Sequence, residues 1–414
     1  MKIKFLFLLS FFSTLSAGYQ ISELVEKALL QSPAIKSANF SIKEKDRLVQ
    51  AAKSKFMPSG TLSVSTGINP NNNIFYNFDR HQSQIKLAIN QKIFDPAAII
   101  ENKVAKINKN IAHINVELES AKIRDEINTT FHKAWLEQER KDFIDQLWST
   151  SKLDLNRDLK RANFGLLSKT QVSSSLAKFG ENKKQVLKYS NSLSKSFSEL
   201  EKAVGAPILE NGCYPTLLFD DKNEEIGPRQ FYINQALENR NEIALALKQI
   251  ELEDKNSELA ISGYLPSVSG LASFEGLKDH HSERKHNCRA HVGLSATWNF
   301  FDGAGHKFQY EAAQARKFKT EENLQLTKMR IGSQISALFD SVQEKQAELD
   351  CSNNRLAEQK KVFDKKTLES KLGLISKHEF ERAKLDRLKA KFDWLESKVG
   401  LKNAQTQLTL GCWL

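Results

Sequence analysis

The chain has 414 residues, 61 Lys+Arg against 50 Asp+Glu, a formal charge of +11, and only eight prolines and 18 glycines. So little proline and glycine excludes collagen-like sequence, linker-type disorder and turn-rich all-β folds. Beyond residue 17 no run approaches the ~18–20 apolar residues that a helix needs to cross a bilayer, which excludes a multi-span helical membrane protein. The basic residues are dispersed and alternate with acidic ones, so the charge reads as solvated helix surface rather than a nucleic-acid stripe.

In chain order, the first predicted element is a processing signal over 1–18. Met1-Lys2-Ile3-Lys4 is a basic n-region, Phe5 to Phe12 is almost wholly apolar, and Ser13 to Gly18 offers small residues for cleavage. The apolar stretch is too short for a membrane anchor. No cysteine lies beside the cleavage region, so a lipid anchor on a new N-terminal Cys is not expected. Export exposes the four cysteines, Cys213, Cys288, Cys351 and Cys412, to oxidising conditions. They form no CxxC pair. One disulfide, for instance Cys213 with Cys412 near the two copy ends, is permitted, and unpaired, partly buried thiols are the alternative.

The remainder is two copies of one plan, offset by about 208 residues. Ile35 and Ile42 match Ile243 and Ile250; Ala52 to Pro58 matches Ala260 to Pro266; Phe94-Asp95 matches Phe301-Asp302, one residue out of step. Phe164-Gly165-Leu166-Leu167-Ser168-Lys169 matches Leu372-Gly373-Leu374-Ile375-Ser376-Lys377. Landmarks in one order at one offset indicate internal duplication. Repeat 1 covers 19–208, with helices over 19–55, a β-hairpin over 58–94, a long helix over 97–161 and a helix over 169–204. After a linker at 209–229, repeat 2 covers 230–414, with helices over 230–262, a hairpin over 265–301, a long helix over 304–370 and a helix over 377–410.

Proline and periodicity give these elements. No proline falls in the 110 residues between Pro96 and Pro207, or in the 148 after Pro266, as very long helices require. Ile100, Val104, Ile107, Ile111, Ile114 and Leu118 step by four and three. Val172, Leu176, Phe179, Val186, Leu193 and Leu200 form a second seam, and Ile335, Val342, Leu349, Leu356 and Phe363 a third. Such a narrow stripe on polar helices favours antiparallel coiled-coil walls over a globular bundle. At 1.5 Å per residue the helix over 97–161 is roughly 98 Å long, close to the two shorter helices of its repeat laid end to end. Thr61 to Ser65, Gln84 to Ile89, Ser267 to Leu271 and Ala290 to Ala296 alternate with period two, as strands do. Four strands cannot close a membrane barrel, and an open edge is not tolerated in lipid. Copies of the chain must therefore pool strands, or else the sheet is soluble and sits on a helical stalk.

At this point the sequence resembles the TolC family of outer-membrane efflux proteins over essentially the whole mature chain. The likeness rests on the two-copy plan, on Pro58-Ser59 and Pro266-Ser267 opening the hairpins, on the aromatic-Asp steps after them, and on the Gly-x-x-Ser turns at 165–168 and 373–376. The resemblance implies a mainly α fold with a small β part: a homotrimer whose twelve-stranded outer-membrane β-barrel continues into a helical tunnel in the periplasm. It implies a passive exit duct of a tripartite efflux pump or type I secretion system. Its partners would be a periplasmic adaptor, an inner-membrane transporter and outer-membrane lipid, with no nucleic acid and no cofactor. Family likeness also places a gate at the tips, with Arg161, Phe164, Gly165, Ser168, Gly373, Ser376, Glu379 and Arg382 as candidate gate residues. Glu379 matches an acidic gate position, and Arg382 stands where a second acid is usual, so the ring would be mixed in charge. Glu379 is alternatively a solvated carboxylate or an i,i+3 partner of Arg382. Ser370 and Ile375 hold the places of the Tyr and Arg that link the closed gate in some members.

Signatures of enzymes are lacking: no phosphate loop, no G-x-S-x-G, and at His378-Glu379-Phe380-Glu381-Arg382 no second His to complete a zinc pair on one helix face. His280, His281, His286, Cys288 and His291 crowd the second hairpin and would suit zinc or copper; a pH-sensitive polar loop is the plainer reading. The expected function is a passive duct and not an enzyme. Heavy-metal efflux and a pore-less secreted coiled-coil protein are the alternatives.

Overall fold

A computed structural model describes residues 19–69, 80–208, 214–219, 226–279 and 287–413. The elements are α1 (Ile21–Gln31), α2 (Pro33–Ser54), β1 (Ser59–Asn69), β2 (Arg80–Phe94), α3 (Pro96–Glu139), α4 (Lys141–Asn163), α5 (Lys169–Val204), α6 (Arg229–Asn239), α7 (Asn241–Ser262), β3 (Ser267–Asp279), β4 (Asn287–Thr297), α8 (Gly305–Lys371) and α9 (Lys377–Gly411). The fold is mainly helical with one small antiparallel sheet. Pro33 and Pro96 open α2 and α3, where a missing N–H costs nothing, and Pro58 and Pro266 directly precede β1 and β3.

One stretch read as a continuous helix, 97–161, is interrupted. Arg140 separates α3 from α4 yet keeps right-handed helical torsions, φ −69° and ψ −17°. Its N–H still reaches Leu136 O and its carbonyl still accepts from Ile144, both at 3.1 Å. The irregularity falls where the Arg140 guanidinium lies over the Phe392 ring, 4.9 Å from its centre. In the second repeat α8 runs 67 residues without a break.

The chain divides into two compact units, each drawing on both repeats. One comprises the stretch up to Lys36 with Glu117–Arg240 and Met329–Leu414. Its core gathers Leu24 and Ala28 from α1, Ile123, Ile127, Phe131 and Ala134 from α3, and Phe197, Leu200 and Val204 from α5. The spacings of four, four and three along α3 put those four residues on one helix face. Tyr19 pairs with Leu217 in an isolated parallel bridge, and Trp135 stacks on Phe219 at 4.6 Å. At Gly205, φ +74° ends α5; a Cβ there would stand 3.3 Å from Pro33 Cδ and from Ser32 Cα. The α9 stripe of Val399, Leu401, Ala404 and Leu408 is buried, as are Ile331, Ile335 and Val342 of α8.

The other unit comprises Ser37–Val116 and Asn241–Lys328 and holds the sheet. Strand order is β1-β2-β3-β4, all antiparallel, so β2 and β3 join the two repeats and β1 and β4 are the edges. The aromatic-Asp steps are helix starts. Asp95 Oδ1 accepts from Ala98 N at 3.2 Å, and Asp302 Oδ2 from His306 N at 2.7 Å, each satisfying an orphan donor of the first turn. An ion pair is duplicated as well: Lys109 reaches Asp46 at 2.6 Å, and 208 residues on, Lys317 reaches Asp254 at 2.7 Å. Hydrogen bonds from the two lysines hold both carboxyls below their ordinary range. No helix among the described residues is long and apolar enough to cross a membrane.

Candidate gate and pore-lining surfaces

The two tip turns share one construction. In the first, Gly165 takes φ +74°, Gly165 N donates to Ala162 O, and Leu166 N donates to Arg161 O at 2.8 Å. In the second, Gly373 takes φ +72°, Gly373 N donates to Ser370 O, and Leu374 N donates to Glu369 O at 2.8 Å. This paired bonding closes a helix through a left-handed residue, a conformation that glycine alone adopts without a Cβ penalty. Ser168 and Ser376 then start the next helices through capping boxes, with Gln171 and Glu379 as the reciprocal partners. Phe164 is 79% exposed and Leu374 71% exposed, so both turns present apolar side chains to their surroundings.

Glu379 is thereby accounted for: its carboxylate accepts from Ser376 N at 3.1 Å. Arg382 faces Asp154 rather than Glu379, at 3.7 Å. Arg161 lies in the last turn of α4, and its carbonyl serves the turn.

The sequence reading missed the residues that join the elements behind these turns. His378 Nδ1 lies 2.5 Å from Asp154 Oδ1, and Gln146 donates to Glu381 Oε2 at 2.7 Å; both contacts tie α4 to α9. Toward α5, Ser175 donates to Asp158 at 2.7 Å and Asn182 to Ser151 at 3.1 Å. Arg157 bridges the acids, 3.8 Å from Asp154 and 2.8 Å from Asp158. Burial pushes the Asp158 carboxyl up, but Ser175 and Arg157 outweigh it and hold the group below its ordinary range. Burial lowers the His378 imidazole; Asp154 opposes this, and Arg157 and Arg382 add to it. A groove of about 350 Å³ lined by Asp154, Asp158, Ser175, Phe179 and Arg382 runs between the three helices.

The sheet has two chemically distinct faces. Leu62 stands opposite Leu87 and Val64 opposite Ile85. With Ile89, Ala272, Phe274, Val292 and Leu294 they make one apolar face by the two-residue period of the strands. Val292 is 82% exposed and Leu294 76% exposed. The opposite face carries Thr61, Ser63, Ser65, Lys86, Ser273, Glu275, Arg289 and His291. Cys288 and His291 fall on opposite faces of β4, so they do not converge, and no group of potential metal ligands occurs among the described residues. His280, His281 and His286 of the proposed cluster lie outside the described residues, as does Cys213. Cys288, Cys351 and Cys412 are free thiols; Cys412 is buried with Sγ 3.3 Å from Leu408 O.

Residues 232–410 match the family model described as outer membrane efflux protein. No curated protein sequence matches significantly. Solved structures share the fold over 95% of the chain. The CmeC outer membrane channel of Campylobacter jejuni superposes with a TM-score of 0.76 at 13% identity over 85% of its own length. VceC, an outer membrane protein of Vibrio cholerae, gives 0.69 at 17% identity over 94%. The MtrE outer membrane channel of Neisseria gonorrhoeae in its open state gives 0.74 at 11% identity over 88%.

Proposed function

We propose, from a chain whose second repeat carries the outer membrane efflux protein pattern and whose fold is that of outer-membrane channels, that it is a passive exit duct in the outer membrane. The observation that carries this reading is the two-faced sheet with both edges open. Its apolar face suits lipid and its polar face suits water, yet four strands leave the outward-pointing N–H and C=O groups of β1 and β4 without a strand partner, which lipid does not tolerate. Strands of 11 to 15 residues reach or exceed the ~9–11 that a tilted strand needs to span. Three copies closing β4 onto β1 would satisfy every edge with twelve strands.

In this reading a periplasmic adaptor and an inner-membrane transporter engage the helices of the duct. Its gate is the α4–α9 contact behind the tip turns, held by Asp154 with His378 and Arg382. Tripartite efflux, heavy-metal efflux included, and type I secretion all fit such a duct. The test is the mass of the purified protein in detergent together with its conductance in a planar bilayer. Trimers that conduct are expected; a stable, lipid-free, non-conducting monomer would end the case.

A further inference from the structure

One row of the polar sheet face concentrates charge. In register across the four strands stand Ser63, Lys86, Glu275 and Arg289. Residues directly opposite in a sheet have Cβ atoms about 4.5–5.5 Å apart, so the three charged groups share one level of the sheet. Glu275 is half-buried between the two cations, and its Oε1 accepts from Gln84 Nε2 at 2.5 Å. Lys86 and Arg289 are exposed. The neighbouring row, Thr61, Ala88, Ser273 and His291, holds no acid. Among the described side chains of this face Glu275 is the one carboxylate, and it is flanked by two cations.

We infer that the Lys86–Glu275–Arg289 row is an electrostatic filter on the pore-lining face of the sheet, and that it favours anionic solutes, those bearing carboxylate or phosphate groups. This deepens the duct reading and rests on it. Closure by identical copies repeats the row once per copy; barrel strands tilt by about 35–45°, so each row climbs along the axis and each copy adds one net positive charge to one band of the pore wall. A band of net positive charge facing an aqueous passage concentrates anions and repels cations. At the tips Glu379 and Arg382 cancel, one charge of each sign per copy, whereas the sheet row keeps one net positive charge. The filter is thus placed in the sheet rather than at the Gly-x-x-Ser turns.

The experiment is the reversal potential of full-length protein in a planar bilayer under a KCl gradient at about 0.1 M mean salt, where surface charge is incompletely screened. Wild type is expected to pass chloride over potassium by a factor of about 2 or more. Lys86→Gln with Arg289→Gln should bring the ratio to unity or reverse it, and Glu275→Gln should raise it. Each variant is first shown to keep the wild-type mass in detergent. Cation selectivity of the wild type, or a ratio unmoved by the double substitution, would overturn the filter while leaving the duct standing. Absence of any conductance would overturn the duct reading, and the filter with it.

Discussion

His132 shows how one buried group links the packing to pH. It is 6% exposed, with ring contacts to Phe131 at 6.0 Å and Phe219 at 5.6 Å. Burial lowers its pKa to about 4, with Lys402 adding to the effect and the hydrogen bond to Asn403 opposing it. In the unfolded chain an imidazole titrates near 6.5. Between those values the unfolded state binds more protons, so stability is full above about pH 6.5 and is lost as pH falls toward 4. The loss is about 3 kcal/mol. Denaturant titration at pH 7.5 and pH 4 should show it in wild type, and His132→Gln should flatten the difference by a similar amount. Glycines at the turns make a second residue-level prediction. A Cβ at Gly373 meets no atom within 4 Å, so Gly373→Ala should cost only the left-handed backbone penalty, about 1–2 kcal/mol. Gly205→Ala adds crowding against Ser32 and Pro33 and should cost more in the same denaturation assay.

At the scale of elements, the contact between α4 and α9 decides whether the gate reading holds. Asp154→Ala removes the group that both His378 and Arg382 approach, and leaves the capping boxes of the turns intact. The open probability is expected to rise at least about threefold, as loosening a two-state closure shifts its population toward open. An unchanged open probability in a variant of wild-type mass would take Asp154 out of the gate. The sequence carried the turns but not this contact, for a physical reason. A left-handed glycine followed three residues later by a capping serine is local chemistry, repeated at a fixed offset, and can be read off the chain. Asp154 and His378 have no such echo: Val362 and Thr170 stand at their repeat positions, and only tertiary packing brings them together. The Asp46–Lys109 and Asp254–Lys317 pairs are the opposite case, since the same 208-residue offset relates them and would have flagged both. The interruption at Arg140 had no local signal either, because no glycine or proline stands there.

For the whole molecule, duplication and proline placement made the order of elements and the four strands legible, because both act through short-range rules. The two faces of the sheet followed from alternation alone. What remained hidden was which row of charges shares one level, since register depends on how β2 meets β3 across the repeats. Exposed Val292 and Leu294 on the apolar face give the assembly a direct test. On the duct reading, Val292→Lys should destabilise a lipid-embedded trimer, by about 2–4 kcal/mol if the residue lies near the bilayer midplane, seen as loss of the detergent-resistant trimer. The same change on the polar face, at Ser273, should leave assembly intact.

The unlike edges, β1 on one side and β4 on the other, have a genetic consequence. A contact that joins different borders of identical subunits closes only as a ring, and every member must fit on both sides. A single misfit copy therefore spoils each ring it enters. If three copies close β4 onto β1, as the duct reading has it, a cell making sound and defective chains equally leaves about one ring in eight entirely sound. Loss-of-function alleles in the sheet should then behave as dominant, whereas alleles that prevent export or folding altogether should be recessive.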